Sequence, residues 1–125
     1  MKFRGFEDLV VWQKGHALVL DIYQLTKYFP QDEKFGLSSQ LRRSAVSVCA
    51  NIVEGNKKSK KEFLRYLDIA FASLEETRYY LILSKDLQYC SFDEFQRLSV
   101  LSEEIGKMIN GLISKLRNYS PLIPL

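Results

Sequence analysis

Two S-x-x-E patterns, Ser59–Glu62 and Ser91–Glu94, divide the second half of the chain into two long segments. In this pattern the serine side chain caps a backbone N–H group of the first helical turn, and the glutamate reaches back to the serine N–H. Each pattern therefore marks the start of a helix. Apolar residues follow both patterns at helical spacing, which predicts helices at about 60–89 and 92–118.

The first half of the chain carries the same helical period in two further segments. Apolar residues at about 9–29 form one wide stripe, and Pro30 ends that helix because it lacks a backbone donor and restricts the residue before it. A second helix is predicted at about 37–54. It stops where Gly55 and Asn56 supply residues that tolerate a left-handed backbone. No stretch alternates β-branched and polar residues between turn signals, so no strand is predicted.

Four long helices with short connections favour antiparallel packing of neighbouring helices. We therefore predict one all-α domain over residues 1–125, an antiparallel up-down-up-down four-helix bundle with left-handed packing. With 46% apolar residues, a chain of 125 residues can bury a single core. The tail, residues 119–125, holds two prolines and cannot extend the last helix.

Composition and hydropathy indicate the cellular compartment in which such a chain is expected. No segment approaches the roughly 20 consecutive apolar residues that span a bilayer, and the first residues lack the apolar run of a signal peptide. Cys49 and Cys90 match neither a disulfide framework nor a metal-ligand spacing. We expect a cytoplasmic protein with reduced thiols and no membrane association.

Groups that could perform catalysis are scarce. His16 is the only histidine, and its place beside Trp12 and Val19 predicts a packed core residue rather than a ligand. Glycine-rich phosphate loops, G-x-S-x-G elbows and the Glu-x-x-His spacing of di-iron bundles are absent. We therefore predict no enzymatic activity, no catalytic or metal site and no cofactor.

Some polar residues nevertheless lie among apolar neighbours on the second and third helices. Buried polar groups in bundles often fix register through hydrogen bonds, and Arg42 or Arg43 is expected to supply the partner charge for a glutamate. We favour that structural role over an acid–base pair. The residues concerned are Asn51, Glu54, Glu75 and Glu76.

Positive charge is concentrated in one part of the chain. The net charge is +3, yet the segment 34–65 holds eight basic residues against two acidic ones. In an up-and-down bundle the start of the first helix, the connection between the second and third helices and the end of the fourth share one end of the molecule. Lys2, Arg4, Lys115 and Arg117 would then join the central lysines there. Such arrays bind phosphate backbones through counterion release, without reading sequence.

The predicted partner is therefore RNA or DNA, with structured RNA or duplex backbone as the expected form. The start of the third helix favours the same ligand through its free N–H groups and positive dipole end. The alternative is that the lysines only keep the surface soluble. The residues predicted to bind nucleic acid are Arg42, Arg43, Lys57, Lys58, Lys60, Lys61 and Arg65.

The third helix carries apolar residues on more faces than one core contact can cover. Large apolar surface outside a core usually marks a partner surface, which predicts a homo-oligomer with closed symmetry. The alternative is that these are scattered surface residues. The residues predicted to form the oligomer interface are Leu64, Tyr66, Phe71 and Tyr80.

Three segments together are similar to a known family. FEDLVVWQK at 6–14, FPQDEKFGLSSQLRRSAVSVCANIVEG at 29–55 and SKKEFLRYLDIAFASLEE at 59–76 resemble the bacterial four-helix bundle proteins encoded by intervening sequences in 23S ribosomal RNA genes. The chain departs from the family pattern at Phe71 and Ala72, where a glycine often precedes the serine. The resemblance implies a homopentameric ring with no known enzymatic activity.

That family is related to the accessory protein of diversity-generating retroelements, a basic pentamer that binds nucleic acid and a reverse transcriptase. The resemblance thus implies nucleic-acid binding as the leading function. The alternative is a structural or protein-adaptor ring that acts through aromatic surfaces and binds no nucleic acid.

Overall fold

Four α-helices form the computed structural model, which describes residues 5–118. They are α1 (Val10–Thr26), α2 (Leu37–Asn56), α3 (Lys60–Asp86) and α4 (Phe92–Asn118), with short 3-10 helices at Phe6–Asp8 and Gln31–Glu33. No strand occurs in this range, so the all-α prediction is confirmed. The first helix ends three residues earlier than predicted, and so does the third. Within residues 5–118, no helix combines the length and the hydropathy of a transmembrane span.

Each helix packs against two others, in the cyclic order α1, α2, α3, α4. Among residues 5–118, the diagonal pairs α1/α3 and α2/α4 have no Cα atoms within 8 Å of each other. Between α2 and α3, Ser44 is hydrogen-bonded to Thr77, whereas Ser47, about one turn later in α2, is hydrogen-bonded to Ser73, about one turn earlier in α3. This is the pattern of antiparallel neighbours. The handedness of the packing stays a prediction.

The core consists of the leucine and isoleucine side chains that the helical period places inside. Burying one such side chain contributes roughly 1.5–3 kcal/mol relative to leaving it in water. His16 is not part of the core, so that prediction was wrong. It is exposed and stacks on Trp12, with ring centroids 5.0 Å apart, because it lies outside the buried stripe of α1. The largest fully buried side chains include Leu18, Ile22, Leu41, Ile52, Leu67, Leu74, Leu81, Leu98, Ile105 and Ile109.

Both predicted helix starts are capped, though differently. At α4 the Glu94 N–H donates to Ser91 Oγ at 3.0 Å, and the Ser91 N–H donates to Glu94 Oε1 at 2.9 Å. At α3 the Glu62 N–H donates to Ser59 Oγ at 3.3 Å. There the glutamate carboxylate accepts from the serine hydroxyl, at 3.1 Å, instead of from the backbone.

The end of α2 differs from the prediction. Gly55 and Asn56 lie inside the helix, and neither has positive φ. Gly55 is there because α3 comes too close for a side chain. A Cβ atom at this position would lie 2.7 Å from Tyr66 Cβ and 2.8 Å from Phe63 Cδ1. Close packing, rather than a left-handed backbone, explains this glycine.

The left-handed residue that ends a helix is Gln88, after α3, with φ of 64°. Its N–H donates to the Lys85 carbonyl at 2.9 Å, and the Tyr89 N–H donates to the Ser84 carbonyl at 2.9 Å. These two bonds are those of a Schellman motif, which satisfies the last carbonyls of the helix.

The connection between α1 and α2 is held to the end of α3 by one carboxylate. Glu33 Oε1 accepts from the Leu37 N–H at 3.0 Å, and Glu33 Oε2 accepts from the Tyr89 hydroxyl at 2.9 Å. These hydrogen bonds lower the pKa of Glu33, and the same contact raises the pKa of Tyr89. Phe29 is buried beside Tyr89, with ring centroids 5.4 Å apart. The connection therefore has a fixed position.

Candidate nucleic-acid interface

The connection between α2 and α3 spans only residues 57–59 and carries the central lysines. It is tight because the Lys58 N–H donates to the Gly55 carbonyl at 3.0 Å and Ser59 caps α3 directly afterwards. All four lysine side chains around it are exposed. We refer to Lys57, Lys58, Lys60 and Lys61 as the lysine turn. A short, capped turn holds four ammonium groups close together at one end of the bundle.

Few acidic groups compensate the charge of this turn. Glu54 and Glu62 are nearby in the chain and exposed. Within residues 5–118, Lys57, Lys58 and Lys61 have no carboxylate oxygen within 4.0 Å. Their charge is therefore available to an anionic partner.

The end of α4 lies near the first turns of α3. Arg117 Nη2 is 3.8 Å from Asp68 Oδ2, which is two turns along α3 from Lys61. This acidic partner of Arg117 was not foreseen from the sequence. Arg65 is exposed one turn after Lys61, on the same stretch of α3. Lys2 and Arg4, predicted to join this end, lie outside the described residues.

The structure does not bring Arg42 and Arg43 to the lysine turn. They lie near the start of α2, fifteen and fourteen residues before Lys57, so a rise of 1.5 Å per residue places Arg42 about 22 Å away along the helix. Arg43 Nη2 is 3.1 Å from Glu76 Oε2. An arginine thus supplies the partner charge for a glutamate, as expected. The seven predicted residues form two separate groups.

Arg42 is half-buried and held by neutral groups. Its Nε donates to Thr26 Oγ1 at 2.7 Å, and its Nη2 donates to the Tyr23 carbonyl at 3.4 Å. Its guanidinium carbon lies 4.5 Å from the centroid of the Tyr23 ring. No carboxylate in the described part of the chain lies within 4.0 Å of it.

A groove of about 600 Å³ opens beside Arg42, between the last turns of α1, the α1–α2 connection and the start of α2. We call it the linker groove. Sequence analysis missed it because its walls come from three segments that only the fold brings together. The signal that could have found it is Phe35, a large apolar residue within a polar connection. Its basic and aromatic lining residues are Tyr23, Lys27, Phe29, Lys34, Phe35, Arg42 and Arg43.

The residues predicted to form an oligomer interface are half-buried within the single chain. Leu64, Phe71 and Tyr80 pack against the core of their own bundle, and Tyr66 lies against Gly55. The Tyr80 hydroxyl also donates to Glu76 Oε2 at 2.8 Å, which raises the pKa of Tyr80. The interface assignment stays a prediction. Apolar side chains that α3 leaves exposed are Ile69, Tyr79 and Ile82, and Leu87 directly after the helix is exposed as well.

The polar residues inside the bundle form a hydrogen-bonded seam between α2 and α3. Ser47 Oγ and Ser73 Oγ are 2.8 Å apart, and Thr77 Oγ1 donates to Ser44 Oγ at 2.8 Å. Asn51 Nδ2 donates to the Ser47 carbonyl at 2.8 Å. Every buried side-chain N or O atom of the described residues has a partner. Of the four polar residues predicted to have this role, Asn51 takes part in the seam. Glu54 and Glu75 are instead exposed, and Glu75 Oε1 is 2.9 Å from Arg78 Nη1.

Cysteine and acidic residues show no arrangement for metal binding in the range 5–118, where no group of three or more candidate ligands occurs. Cys49 is buried, and burial raises the pKa of its thiol to about 11. Cys90 is half-buried, and its pKa is also raised, chiefly by burial.

Comparisons with known proteins agree on one family. The family model of the 23S rRNA-intervening sequence protein matches residues 7–111. A crystal structure of a protein of unknown function from the S23 ribosomal protein family, from Bacteroides thetaiotaomicron, is 30% identical and superposes with a TM-score of 0.77. The match covers 82% of this chain and 97% of that one. No curated protein matches.

Proposed function

The chain belongs to the 23S rRNA-intervening sequence protein family, and we propose that it is a non-enzymatic protein that binds nucleic acid through the lysine turn. The observation that carries the proposal is the exposure of four lysine side chains around a three-residue connection. The family name places its genes among ribosomal RNA sequences, which favours RNA as the ligand. We place the activity in the cytoplasm, as composition predicts.

The physical basis is release of counterions from a phosphate backbone. Each phosphate that a lysine neutralises contributes about −0.9 to the slope of log affinity against log salt concentration on duplex. Four lysines per subunit therefore give a slope of about −3.6 if all four reach phosphates. No base-reading side chain is required, so affinity should depend little on sequence.

We propose further that the bundle assembles into a closed ring, which is a pentamer as the resemblance implies. A ring would repeat the lysine turn around one face, and simultaneous contacts would strengthen weak ones. Light scattering coupled to size exclusion measures the mass directly. Polar substitution of Tyr66, Phe71 or Tyr80 should then dissociate the ring, and unchanged mass would remove those residues from the interface.

The test of binding is anisotropy of a labelled RNA hairpin and of a DNA duplex across a salt series. Reversal of the lysine turn, K57E/K58E/K60E/K61E, should flatten the salt slope and leave the mass of the assembly unchanged. As a matched pair, Lys58→Glu should weaken binding more than Lys107→Glu, which reverses an exposed lysine on α4. Equal losses from the two, or an unchanged slope in the fourfold variant, would contradict the proposal.

A protein-adaptor ring is the second candidate, favoured by exposed apolar side chains on α3. Tyr79 is 58% exposed, and Ile69 and Ile82 are 40% and 44% exposed. This function predicts no nucleic-acid binding at low salt. Absence of any nucleic-acid binding in the salt series would contradict a role for the lysine turn and would favour the protein-adaptor function of this α3 surface.

A further inference from the structure

The linker groove presents an aromatic ring to solvent. Phe35 is 88% exposed, although a phenylalanine gains most from being buried. The connection that carries it is held in place by Glu33, so the exposure of the ring is a property of an ordered segment. Lys34 lies beside it, with Nζ 5.5 Å from the ring centroid. An exposed ring on an ordered connection, with an adjacent ammonium group, is a surface on which a planar group can stack.

The lining of the groove also carries net positive charge, while the exposed Asp32 of the same connection is not among the lining residues. Four of its lining residues are basic and none is acidic. The carboxylate of Glu33, in the same connection, is occupied by the Leu37 N–H and the Tyr89 hydroxyl. Arg43 has Glu76 as its partner, which leaves three basic side chains of the groove, Lys27, Lys34 and Arg42, without a carboxylate within 4.0 Å in residues 5–118.

Arg42 is the most informative of these three. A half-buried guanidinium normally lies against a carboxylate, because burial of an uncompensated charge is costly. Here both protein acceptors are neutral, and stacking on Tyr23 fixes the plane of the group. Thr26 does not compensate the charge of Arg42, because its hydroxyl is neutral. That hydroxyl accepts from Arg42 and donates to the Ile22 carbonyl at 2.8 Å. The arginine is held in a defined orientation at the wall of a groove that no acidic side chain lines.

We propose that the linker groove binds an unpaired segment of nucleic acid, with a base stacked on Phe35 and phosphates held by Lys27, Lys34 and Arg42. A positive groove with aromatic platforms is the general means by which proteins hold single strands. A volume of about 600 Å³ lies within the usual range for small-ligand sites, so the groove has room for individual nucleotides. The inference shares only its class of ligand with the proposed function, since the lysine turn lies at the other end of α2.

The test compares single-stranded with duplex RNA at fixed ionic strength. Fluorescein-labelled ten-nucleotide oligouridine and oligoadenosine are titrated against a labelled RNA hairpin, with the full chain as protein. Phe35→Ala should weaken single-strand binding by about 5-fold or more, since loss of a stacking platform has that effect. Lys34→Gln should weaken it as well. Binding of the hairpin should stay within twofold of the original chain for both variants.

Tyr79→Ala is the matched control, because it removes an exposed aromatic ring from α3, outside the groove. Circular dichroism checks that each variant keeps its helix content, which we expect because both rings are exposed. A second readout uses oligouridine with one 4-thiouridine, which on irradiation should cross-link to the peptide that contains Phe35.

The outcomes separate this inference from the proposed function. Lysine-turn reversal that abolishes hairpin binding, together with a single-strand loss in Phe35→Ala, supports both. Single-strand binding that depends on Phe35, with no hairpin binding in the original chain, supports the groove and refutes the lysine turn. Single-strand affinity within twofold in both groove variants, an equal loss in Tyr79→Ala, or no single-strand binding overturns the groove proposal.

Discussion

Gly55 shows how one residue sets the distance between two helices. It is buried where α2 meets α3, and a methyl group there would lie 2.7 Å and 2.8 Å from the side chains of Tyr66 and Phe63. Real Cβ atoms do not approach carbon atoms this closely, so the helices would have to separate. Gly55 lies in the last turn of α2, which leads directly into the lysine turn. A change at Gly55 therefore alters both packing and the position of the basic residues.

We predict that Gly55→Ala lowers the free energy of unfolding by about 1–3 kcal/mol, the usual cost of overpacking. Gly111→Ala is the matched control, because Gly111 is an exposed α4 residue with no atom within 4 Å of an added Cβ. Alanine there should raise stability by about 0.5–1 kcal/mol through helix propensity. Urea unfolding followed by circular dichroism measures both. A stabilised Gly55→Ala variant would contradict the close approach.

Glu33 links stability to pH. Its pKa is lowered in the folded chain, first by the hydrogen bond from the Leu37 N–H and then by that from Tyr89. The unfolded chain, with an ordinary pKa near 4.5, therefore takes up the proton first as pH falls. The stabilisation is complete above that pKa and is lost as pH falls through the lower, folded value.

We predict that the stability difference between the original chain and Glu33→Gln is largest near neutral pH and shrinks below about pH 4.5. Tyr89→Phe should show a smaller effect in the same direction, because it removes only the second hydrogen bond. Chemical unfolding at several pH values between 3 and 7 measures the differences. A difference that does not vary with pH would show that the carboxylate has no lowered pKa.

At the scale of the element, helix starts were predictable and helix ends were not. The S-x-x-E patterns are local in sequence, and both proved to be caps at Ser59 and Ser91. The end of α3 depends on a left-handed residue, and the residue that adopts this conformation is Gln88 rather than a glycine. Since glutamine has no special tolerance for positive φ, nothing in the sequence marks the position.

We predict that Gln88→Gly raises the free energy of unfolding by about 0.5–1 kcal/mol, because glycine adopts positive φ without the Cβ penalty. Gln88→Ala is the control, since it removes the side chain but keeps the Cβ atom. It should leave stability nearly unchanged. Thermal and urea unfolding of the three chains measure the effect, and an equal gain in the alanine variant would rule out backbone strain as the reason.

At the scale of the whole molecule, the sequence predicted the number and order of helices because apolar period and caps are local signals. It also predicted one basic turn, since four lysines are adjacent in the chain. It did not predict that Arg42 and Arg43 belong elsewhere, because their place depends on how far along α2 they lie. The linker groove was missed for the same reason. Its walls come from residues 23–43, and only the packing of α1 against α2 brings them together.

The length of α2 sets the distance between the lysine turn and the linker groove. About 22 Å of helix separates Arg42 from Lys57, which equals roughly six or seven nucleotide steps at 3.4 Å each. If both proposals hold, a nucleic acid with stacked bases needs about that many nucleotides to occupy both surfaces of one subunit. Two turns added to or removed from every helix would change this span by about three stacked nucleotides. The number of helical turns would thus set the length of a stacked ligand that contacts both surfaces.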